Sequence, residues 1–444
     1  MGRWLHRAVI GVAVVASCVG RVVAAEPAAS FRSTVAGVLV DHCLACHGPR
    51  KAEGGYRLDT FERLRLAGDS GEQPVVPGAM PAGELLRRIT AEDPEERMPP
   101  DAPPLPAEAV AAIRGWLAAG GTLDAGRPDE PLAFVMPPRM QQPPVTYAAA
   151  VPVTAVAFTS DGGRLIVGGY HELLVFHAID GTLLKRIPQV GQRVTAIRVL
   201  ADGRRAAVAG GEPGRDGDVR LVDLETGGIT AVLARTLDVV QDVAVRPGGS
   251  QLAVATSEGA VRIVDADSGV EQRTIPAHGD WVTAVAWSDD GRRLASAGRD
   301  KSAKVYDAAS GDLLGNFTGH TAAVRGIAFS ADGGQAFTTS ADGRLIRWDV
   351  ETTKPVGAAV PVGGEGLRLV RNGGLVVVAS ADKNVRLVDA ASLAVIRSLA
   401  HPDWPLAVAV HAASRRIATG SIDGQVRVWN LDDGKLVKAW PARP

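Results

Sequence analysis

The sequence predicts a multidomain protein in which a small all-α domain is followed by an all-β, seven-bladed propeller. Three observations support this prediction. Short helical patterns surround a Cys-x-x-Cys-His motif within residues 26–123, a proline-rich segment covers residues 124–150, and residues 151–444 repeat at a period of about 42 residues. A chain of 444 residues is also long enough for more than one domain.

Residues 1–25 have the pattern of a secretory signal peptide. A basic start precedes an apolar run from Ala8 to Ala16, and the small residues Val23 and Ala25 precede a cleavage site before Glu26. Cys18 also resembles the cysteine of a lipobox, so a lipid anchor at Cys18 is an alternative. Both alternatives predict an exported protein, periplasmic or in the cell envelope. No later segment has the roughly 20 apolar residues of a membrane helix, so we expect no transmembrane segment after removal of the signal.

Charge and cysteine content narrow the function classes. A net charge of -1 gives no electrostatic reason to expect nucleic acid as a partner. The chain has three cysteines, and cleavage of the signal leaves only Cys43 and Cys46. Structural disulfides are therefore not expected, and both remaining thiols are available for one shared role.

The motif Cys43-Leu-Ala-Cys46-His47 predicts covalent attachment of one c-type haem. Two cysteines at this spacing can each form a thioether to a haem vinyl group, and the histidine that follows lies under the iron as a proximal ligand. A structural zinc site is an alternative, but it needs about four ligands and no cysteine follows Cys46. A thiol redox pair is another alternative, although no βαβ pattern accompanies the motif.

Three helices are predicted around this motif. The first covers Phe31 to Asp41 and leads into Cys43, the second covers Glu84 to Ile89, and the third runs from Pro106 to Ala119. A domain of about 100 residues has a small core, which a bound haem would enlarge.

Four methionines of the exported chain are candidates for the distal iron ligand. Met98, between Arg97 and Pro99-Pro100, is the first choice because the prolines stiffen its segment. Met80 is the second choice, and Met136 and Met140 are predicted to be solvated or packing residues. An open coordination position is a further alternative.

Residues 31–121 resemble the planctomycete-type cytochrome c domain. The matching motifs are Cys43-Leu-Ala-Cys46-His47-Gly-Pro, Gly54-Gly-Tyr-Arg-Leu-Asp59, Val76-Pro-Gly78, Glu84–Ile89, Arg97-Met98-Pro-Pro100 and the helix with Trp116. The resemblance implies one haem bound through Cys43, Cys46 and His47, with Met98 as the distal ligand. This chain has Ala79-Met80 where the family often has an acidic residue, which keeps Met80 as an alternative.

Residues 124–150 are predicted to form a semi-rigid, extended linker because they are rich in proline and have no usable periodicity. Phe134 and Val135 are the residues of this segment that could dock on a neighbouring domain.

Residues 151–444 contain seven related repeats. A strand pattern such as Val282-Thr-Ala-Val-Ala-Trp287 recurs in each, and most copies precede a turn pair such as Asp290-Gly291. A further strand recurs as Val261-Arg-Ile-Val-Asp265 and its relatives. Seven repeats of several strands bury their edges by closing into a ring, which predicts a seven-bladed propeller. The final strand, Lys435 to Trp440, predicts that closure does not borrow a strand from the N-terminal side.

The repeats resemble the WD-repeat family. Trp348-Asp349 is the full dipeptide, and Trp429-Asn430 and Tyr306-Asp307 are close variants. The resemblance implies a hydrogen-bonded His–Asp network in the blades, to which the matching positions are His278, His320, His401, Asp300, Asp342 and Asp423. It also implies that the propeller binds protein partners.

The favoured function is single-electron transfer by a haem domain joined to an interaction platform; the redox partner is not predicted. An electron carrier or binding protein is favoured over a catalyst, because no catalytic triad, metal-ligand spacing or phosphate loop occurs in the repeats. The alternatives are an oxidoreductase with a second cofactor or an open haem site, and a scaffold in which haem only stabilises the small domain.

Overall fold

The computed structural model describes residues 30–49, 51–76, 83–100, 102–124, 126–137 and 140–444. The chain divides into two compact units, the first ending at Pro137 and the second beginning at Pro138. The predicted signal peptide, the alternative lipid anchor at Cys18 and the alternative ligand Met80 all lie outside the described residues. None of the helices in the described ranges is long and apolar enough to cross a bilayer.

The first unit is a small domain of short helices joined by loops. A π-helical turn, Phe31–Val35, continues directly into the first α-helix. The α-helices are α1 (Ala36–His42), α2 (Phe61–Leu64), α3 (Glu84–Ile89), α4 (Ala107–Ala118) and α5 (Leu132–Val135), with a 3-10 turn at Glu53–Gly55. The three predicted helices are all present. More of the described chain is loop than the all-α prediction implies, because α2 and α5 are single turns.

Aromatic packing holds the core of this unit together. The Phe31 ring lies 4.9 Å from the ring of Phe61 and 5.1 Å from that of Trp116. The indole nitrogen of Trp116 donates a 2.8 Å hydrogen bond to the carbonyl of Thr122, so its polar atom is satisfied inside an apolar cluster. The first and last long helical segments of the unit therefore pack against each other through this cluster.

The first part of the proline-rich segment packs on the first unit. Leu132 and Val135 of α5 are buried in the same core as Phe31 and Trp116. The amide of Leu132 donates to the carbonyl of Asp59 at 2.8 Å, and Arg32 Nε donates to the carbonyl of Val135 at 3.1 Å. Residues 126–137 thus belong to this compact unit rather than to a solvated linker.

The second unit is a seven-bladed propeller. Within residues 140–444, all of which the structure describes, twenty-eight strands form seven four-stranded antiparallel sheets. The strands of blades 1 to 4 are β1 (Val156–Phe158), β2 (Arg164–Gly168), β3 (Glu172–His177), β4 (Leu183–Pro188), β5 (Arg193–Val199), β6 (Arg205–Glu212), β7 (Asp216–Asp223), β8 (Ile229–Thr236), β9 (Val240–Val245), β10 (Gln251–Thr256), β11 (Ala260–Asp265), β12 (Glu271–Pro276), β13 (Val282–Trp287), β14 (Arg293–Gly298), β15 (Ala303–Asp307) and β16 (Leu313–Phe317). Those of blades 5 to 7 are β17 (Val324–Phe329), β18 (Gln335–Ser340), β19 (Arg344–Asp349), β20 (Val360–Pro361), β21 (Gly366–Asn372), β22 (Leu375–Ser380), β23 (Asn384–Asp389), β24 (Val395–Ala400), β25 (Pro405–His411), β26 (Arg416–Ser421), β27 (Gln425–Asn430) and β28 (Leu436–Pro441).

The ring closes without exchange of strands between blades. The first strands of neighbouring sheets contact one another around the ring, and β1 contacts β25 to complete it. Blade 7 consists of β25 to β28, so its outer strand comes from the end of the chain, as the sequence predicts. The glycines of the predicted turn pairs have positive φ, for example 68° at both Gly162 and Gly291, which is the conformation that tight hairpin turns require.

The buried histidines belong to the blades. His320 Nδ1 lies 2.8 Å from Asp342 Oδ2, and its Nε2 lies 2.9 Å from the hydroxyl of Thr338. His278 and Asp300 form the equivalent pair at 2.9 Å. The third predicted pair does not form: His401 Nδ1 contacts the carbonyl of Leu399, and Asp423 instead binds Arg427, whose guanidinium is the stronger partner for a carboxylate.

Candidate functional site

The Cys-x-x-Cys-His segment forms a tight turn directly after α1. The amide of Cys43 donates to the carbonyl of Leu39 at 3.0 Å, and the amide of His47 donates to the carbonyl of Cys43 at 3.0 Å. The amide of Cys46 donates to the same Cys43 carbonyl at 3.2 Å. The motif is therefore held at the end of a helix by backbone hydrogen bonds that do not depend on its side chains.

The imidazole of His47 is oriented by Tyr56. His47 Nδ1 lies 3.3 Å from the backbone carbonyl oxygen of Tyr56, and the two rings meet edge to face with centroids 5.3 Å apart. The Tyr56 hydroxyl donates to the carbonyl of Leu64 at 2.9 Å, which fixes the ring. A proton on Nδ1 donated to this carbonyl leaves the Nε2 lone pair available to bind a metal ion.

Met98 is held against the same region by α3. Its amide donates to the carbonyl of Arg88 at 3.0 Å, and its side chain is partly buried against the core of the first unit. The segment that carries Met98 is thus anchored at the C-terminal end of α3.

One cavity of about 330 Å³ brings the predicted site residues together. Cys43, His47 and Met98 all line it, whereas Cys46 is half-buried and does not line it. Its apolar wall includes Tyr56, Leu58, Leu85 and Ile89, and its polar lining includes Glu53, Asp69, Glu72, Glu84 and Arg88. The volume lies within the range of small-molecule sites.

The two thiols are free, and one of them is strongly desolvated. Burial, with a smaller contribution from Cys46, raises the pKa of Cys43 to about 12. A thiol with a raised pKa stays protonated at neutral pH.

Charged groups beside the cavity are mostly paired. Arg87 and Arg88 both hydrogen-bond Glu84, and these contacts hold the pKa of Glu84 down to about 2. Arg97, next to Met98, differs: its Nε is buried and has no hydrogen-bond partner among the described residues. A buried guanidinium donor without a partner is costly, although Arg97 is not among the residues that line the cavity.

Sequence patterns identified the side chains that could bind a metal ion or haem, but not the residues that orient those side chains. Nothing in the spacing of Tyr56 indicated that its carbonyl would face His47, because that contact depends on the loop conformation. The loop contains Gly54 and Gly55 at positive φ, and Asp69 lies so close to Gly55 that a Cβ there would clash. These glycines are a local signal of close loop packing.

Comparisons with known families give one match in the first unit and another in the propeller. Residues 43–102 match the family model of planctomycete cytochrome C. Residues 269–307, 311–349 and 393–430 match the family model of the WD domain, G-beta repeat. A search of curated proteins gave no match. The chain therefore carries a cytochrome c-like segment and WD repeats, and the repeats fold as a seven-bladed propeller.

The residues of the cavity fit a haem group. The donor set combines a desolvated thiol, an imidazole held at Nδ1 and a thioether, and the wall is largely apolar. Haem iron in cytochromes c takes histidine and methionine as axial ligands.

Proposed function

We propose that the protein is an exported c-type cytochrome that carries one covalent haem for single-electron transfer, with a propeller that serves as a platform for protein partners. The observation that carries this proposal is the cavity that joins Cys43, His47 and Met98 within the segment that matches a cytochrome family model. The predicted signal peptide in residues 1–25 supports export to a compartment where haem is attached to thiols.

Each site residue has a distinct part in this proposal. Cys43 and Cys46 hold the haem through thioethers, His47 is the proximal ligand and Met98 is the distal ligand. The bound iron would supply reversible one-electron chemistry. The backbone carbonyl of Tyr56 accepts the Nδ1 proton and so keeps Nε2 directed to the metal.

The apolar wall of the cavity tunes that chemistry. Leu58 is fully buried, and Leu85 and Ile89 of α3 are nearly so. Such residues exclude water and stabilise the less charged, reduced form of the iron. Together with histidine–methionine ligation, this environment favours a relatively high reduction potential.

Exposed aromatic side chains support the second part of the proposal. Trp281 and Trp404 occupy equivalent loop positions, directly before β13 and β25, and both are about two-fifths exposed. Arg299 lies over the Trp281 ring at 5.0 Å. Exposed tryptophan and arginine are enriched where proteins bind other proteins.

Expression of the full chain, with its leader, in bacteria that perform c-type maturation tests the haem assignment. We expect a sharp α-band in the reduced visible spectrum near ~550 nm and colour that stays with the protein after acid–acetone extraction. The double variant C43A/C46A is the control and should lose colour on extraction. Rapid binding of CO to the reduced protein, or a second extracted chromophore, would favour an enzyme instead.

Affinity purification from the exported fraction, in oxidising and in reducing buffer, tests the platform assignment. We expect wild-type protein to retain a specific partner and the double variant W281A/W404A to lose it. A variant of an exposed residue on an outer strand, V437A, is the matched control. Retention of the same partner by W281A/W404A would contradict this assignment of the binding surface.

A further inference from the structure

The central channel of the propeller is lined by the first strand of each blade. At one level of this channel, equivalent positions of β9 and β21 carry Asp242 and Arg368, paired with Ala255 and Ala379 on their neighbouring strands. The equivalent positions on three other first strands carry only small residues: Ala284, Gly326 and Ala407.

One buried carboxylate in the channel binds two guanidinium groups. Asp242 Oδ1 accepts hydrogen bonds from Arg368 Nη2 at 2.8 Å and from Arg198 Nη2 at 3.1 Å. Asp242 Oδ2 lies 3.3 Å from the amide of Val285. Because blades 3 and 6 lie on opposite sides of the ring, the Arg368–Asp242 contact spans the channel.

This cluster has more positive than negative charge. Asp242 is almost fully buried, and Arg198 and Arg368 share its single charge. Desolvation, with repulsion from Arg368, lowers the pKa of Arg198 despite the attraction of Asp242. The two guanidinium groups also repel each other, and a bound anion would reduce that repulsion.

The other charged groups of the channel do not supply that anion. Asp289 forms an ion pair with Arg371. Arg325 adds a further positive charge, and its nearest carboxylate, on Glu365, is 3.6 Å away in an exposed pair. The channel lining therefore holds four arginines and two aspartates: Arg198, Arg325, Arg368, Arg371, Asp242 and Asp289.

Hydrogen-bond donors remain available on both central arginines. Arg368 uses only Nη2, and Arg198 uses its two terminal nitrogens, one of them on the carbonyl of Ile197. In residues 140–444, Arg368 Nε and Nη1 and Arg198 Nε have no protein partner. The cavity they line has a volume of about 470 Å³, and its walls combine polar and apolar groups.

We propose that this channel is a binding site for a small oxyanion, the carboxylate or phosphate group of a small molecule, held by Arg198 and Arg368. Arginine binds such groups through two parallel hydrogen bonds. Asp242 keeps the two guanidinium groups in place, and Arg325 attracts the ligand into the channel. This site does not depend on haem.

Calorimetric titration of the full chain with inorganic phosphate and, separately, with succinate tests the site at constant ionic strength set by sodium chloride. We expect saturable binding of about one anion per chain, and the preferred probe distinguishes a phosphate from a carboxylate ligand. R368Q should weaken binding at least about tenfold. R415Q removes an exposed arginine paired with Asp432 outside the channel and should bind as wild type does.

Two results would overturn the proposal. One is the absence of saturable heat from both probes with the wild-type protein, a result that needs no variant to fold. The other is equal affinity in wild type and R368Q, which would place the anion elsewhere. If R368Q does not fold, R198Q serves in its place, because it removes the second guanidinium group of the site and should also weaken binding; unchanged binding by folded R198Q would also overturn the site.

Discussion

The Nδ1 atom of His47 lies 3.3 Å from the backbone carbonyl oxygen of Tyr56, and the two rings are in edge-to-face contact. The accepting atom belongs to the backbone, so replacement of the Tyr56 side chain leaves it in place. The side chain has its own anchor, the 2.9 Å hydrogen bond from its hydroxyl to Leu64. Orientation of the imidazole and stability of the loop can therefore be separated by mutation.

Tyr56→Phe is expected to lower the stability of the first unit by about 1 kcal/mol, because the partly buried carbonyl of Leu64 loses its donor. The visible spectrum should not change, since the backbone carbonyl still accepts from His47. Denaturant unfolding followed by haem absorbance measures the first effect locally. A changed spectrum at unchanged stability would show that the hydroxyl, and not the backbone, orients the ligand.

Met98→Ala is expected to remove the distal ligand and lower the reduction potential, because thioether ligation favours the reduced iron. Axial ligands set haem potentials over a range of about 0.8 V, so potentiometry should resolve the change. Met136→Ala is the matched control, since Met136 packs against the core and is not among the residues that line the cavity. An unchanged potential and ligand-to-metal spectrum in Met98→Ala would transfer the distal role to another group.

Much of this architecture is predictable from the sequence because its signals are local or periodic. The repeats locate the strands of the blades, and the Cys43–His47 motif and Met98 do lie around one cavity. Helices α2 and α5 are not predictable, because four residues carry too little periodicity. The packing of Leu132 and Val135 depends on a core that is distant in the sequence.

Contacts across the ring are also beyond sequence patterns. Arg368 and Asp242 are 126 positions apart and in different repeats. Each would be interpreted as a solvated charge from its local pattern alone. Only closure of the propeller brings them together. The Asp423–Arg427 pair, which replaces the predicted contact of Asp423 with His401, is instead a local contact between residues four positions apart in one blade.

The stability of the propeller is expected to fall as the pH decreases from about 6.5 to about 4. Burial lowers the pKa of His401 to about 4, whereas an unfolded histidine has a pKa of about 6.5. In this window the unfolded chain binds a proton at His401 that the folded chain does not. The contribution of neutral His401 to the free energy of unfolding is therefore fully present above pH 6.5 and is lost as the pH falls towards 4. The loss from His401 is up to about 3 kcal/mol.

Denaturant midpoints of wild type and His401→Gln across this pH range measure that effect. His401→Gln should be less stable at pH 8, because it disturbs contacts with Leu399 and Thr419. Its midpoint should depend less steeply on pH than that of wild type. Equal slopes would show that other groups dominate the acid response.

Tyr147→Phe is expected to loosen the chain segment that precedes blade 1. The Tyr147 hydroxyl donates to the buried carboxylate of Glu172 at 2.7 Å and accepts from the amide of Tyr170 at 3.0 Å. Its loss should cost about 1–3 kcal/mol locally and speed amide exchange at residue 170. Hydrogen–deuterium exchange measures the rate at this amide. The control is Tyr170→Phe, which removes an exposed hydroxyl instead. Equal exchange in Tyr147→Phe and wild type would exclude this anchoring role.

The intact mass of the exported protein tests the central claim most directly. Protein made with its leader, in a strain able to attach haem to cysteines, is predicted to have the mass of the processed polypeptide plus one haem. Both Cys43 and Cys46 should then resist alkylation after denaturation. A processed polypeptide of bare peptide mass, with both thiols alkylated, would contradict the assignment of a covalent haem.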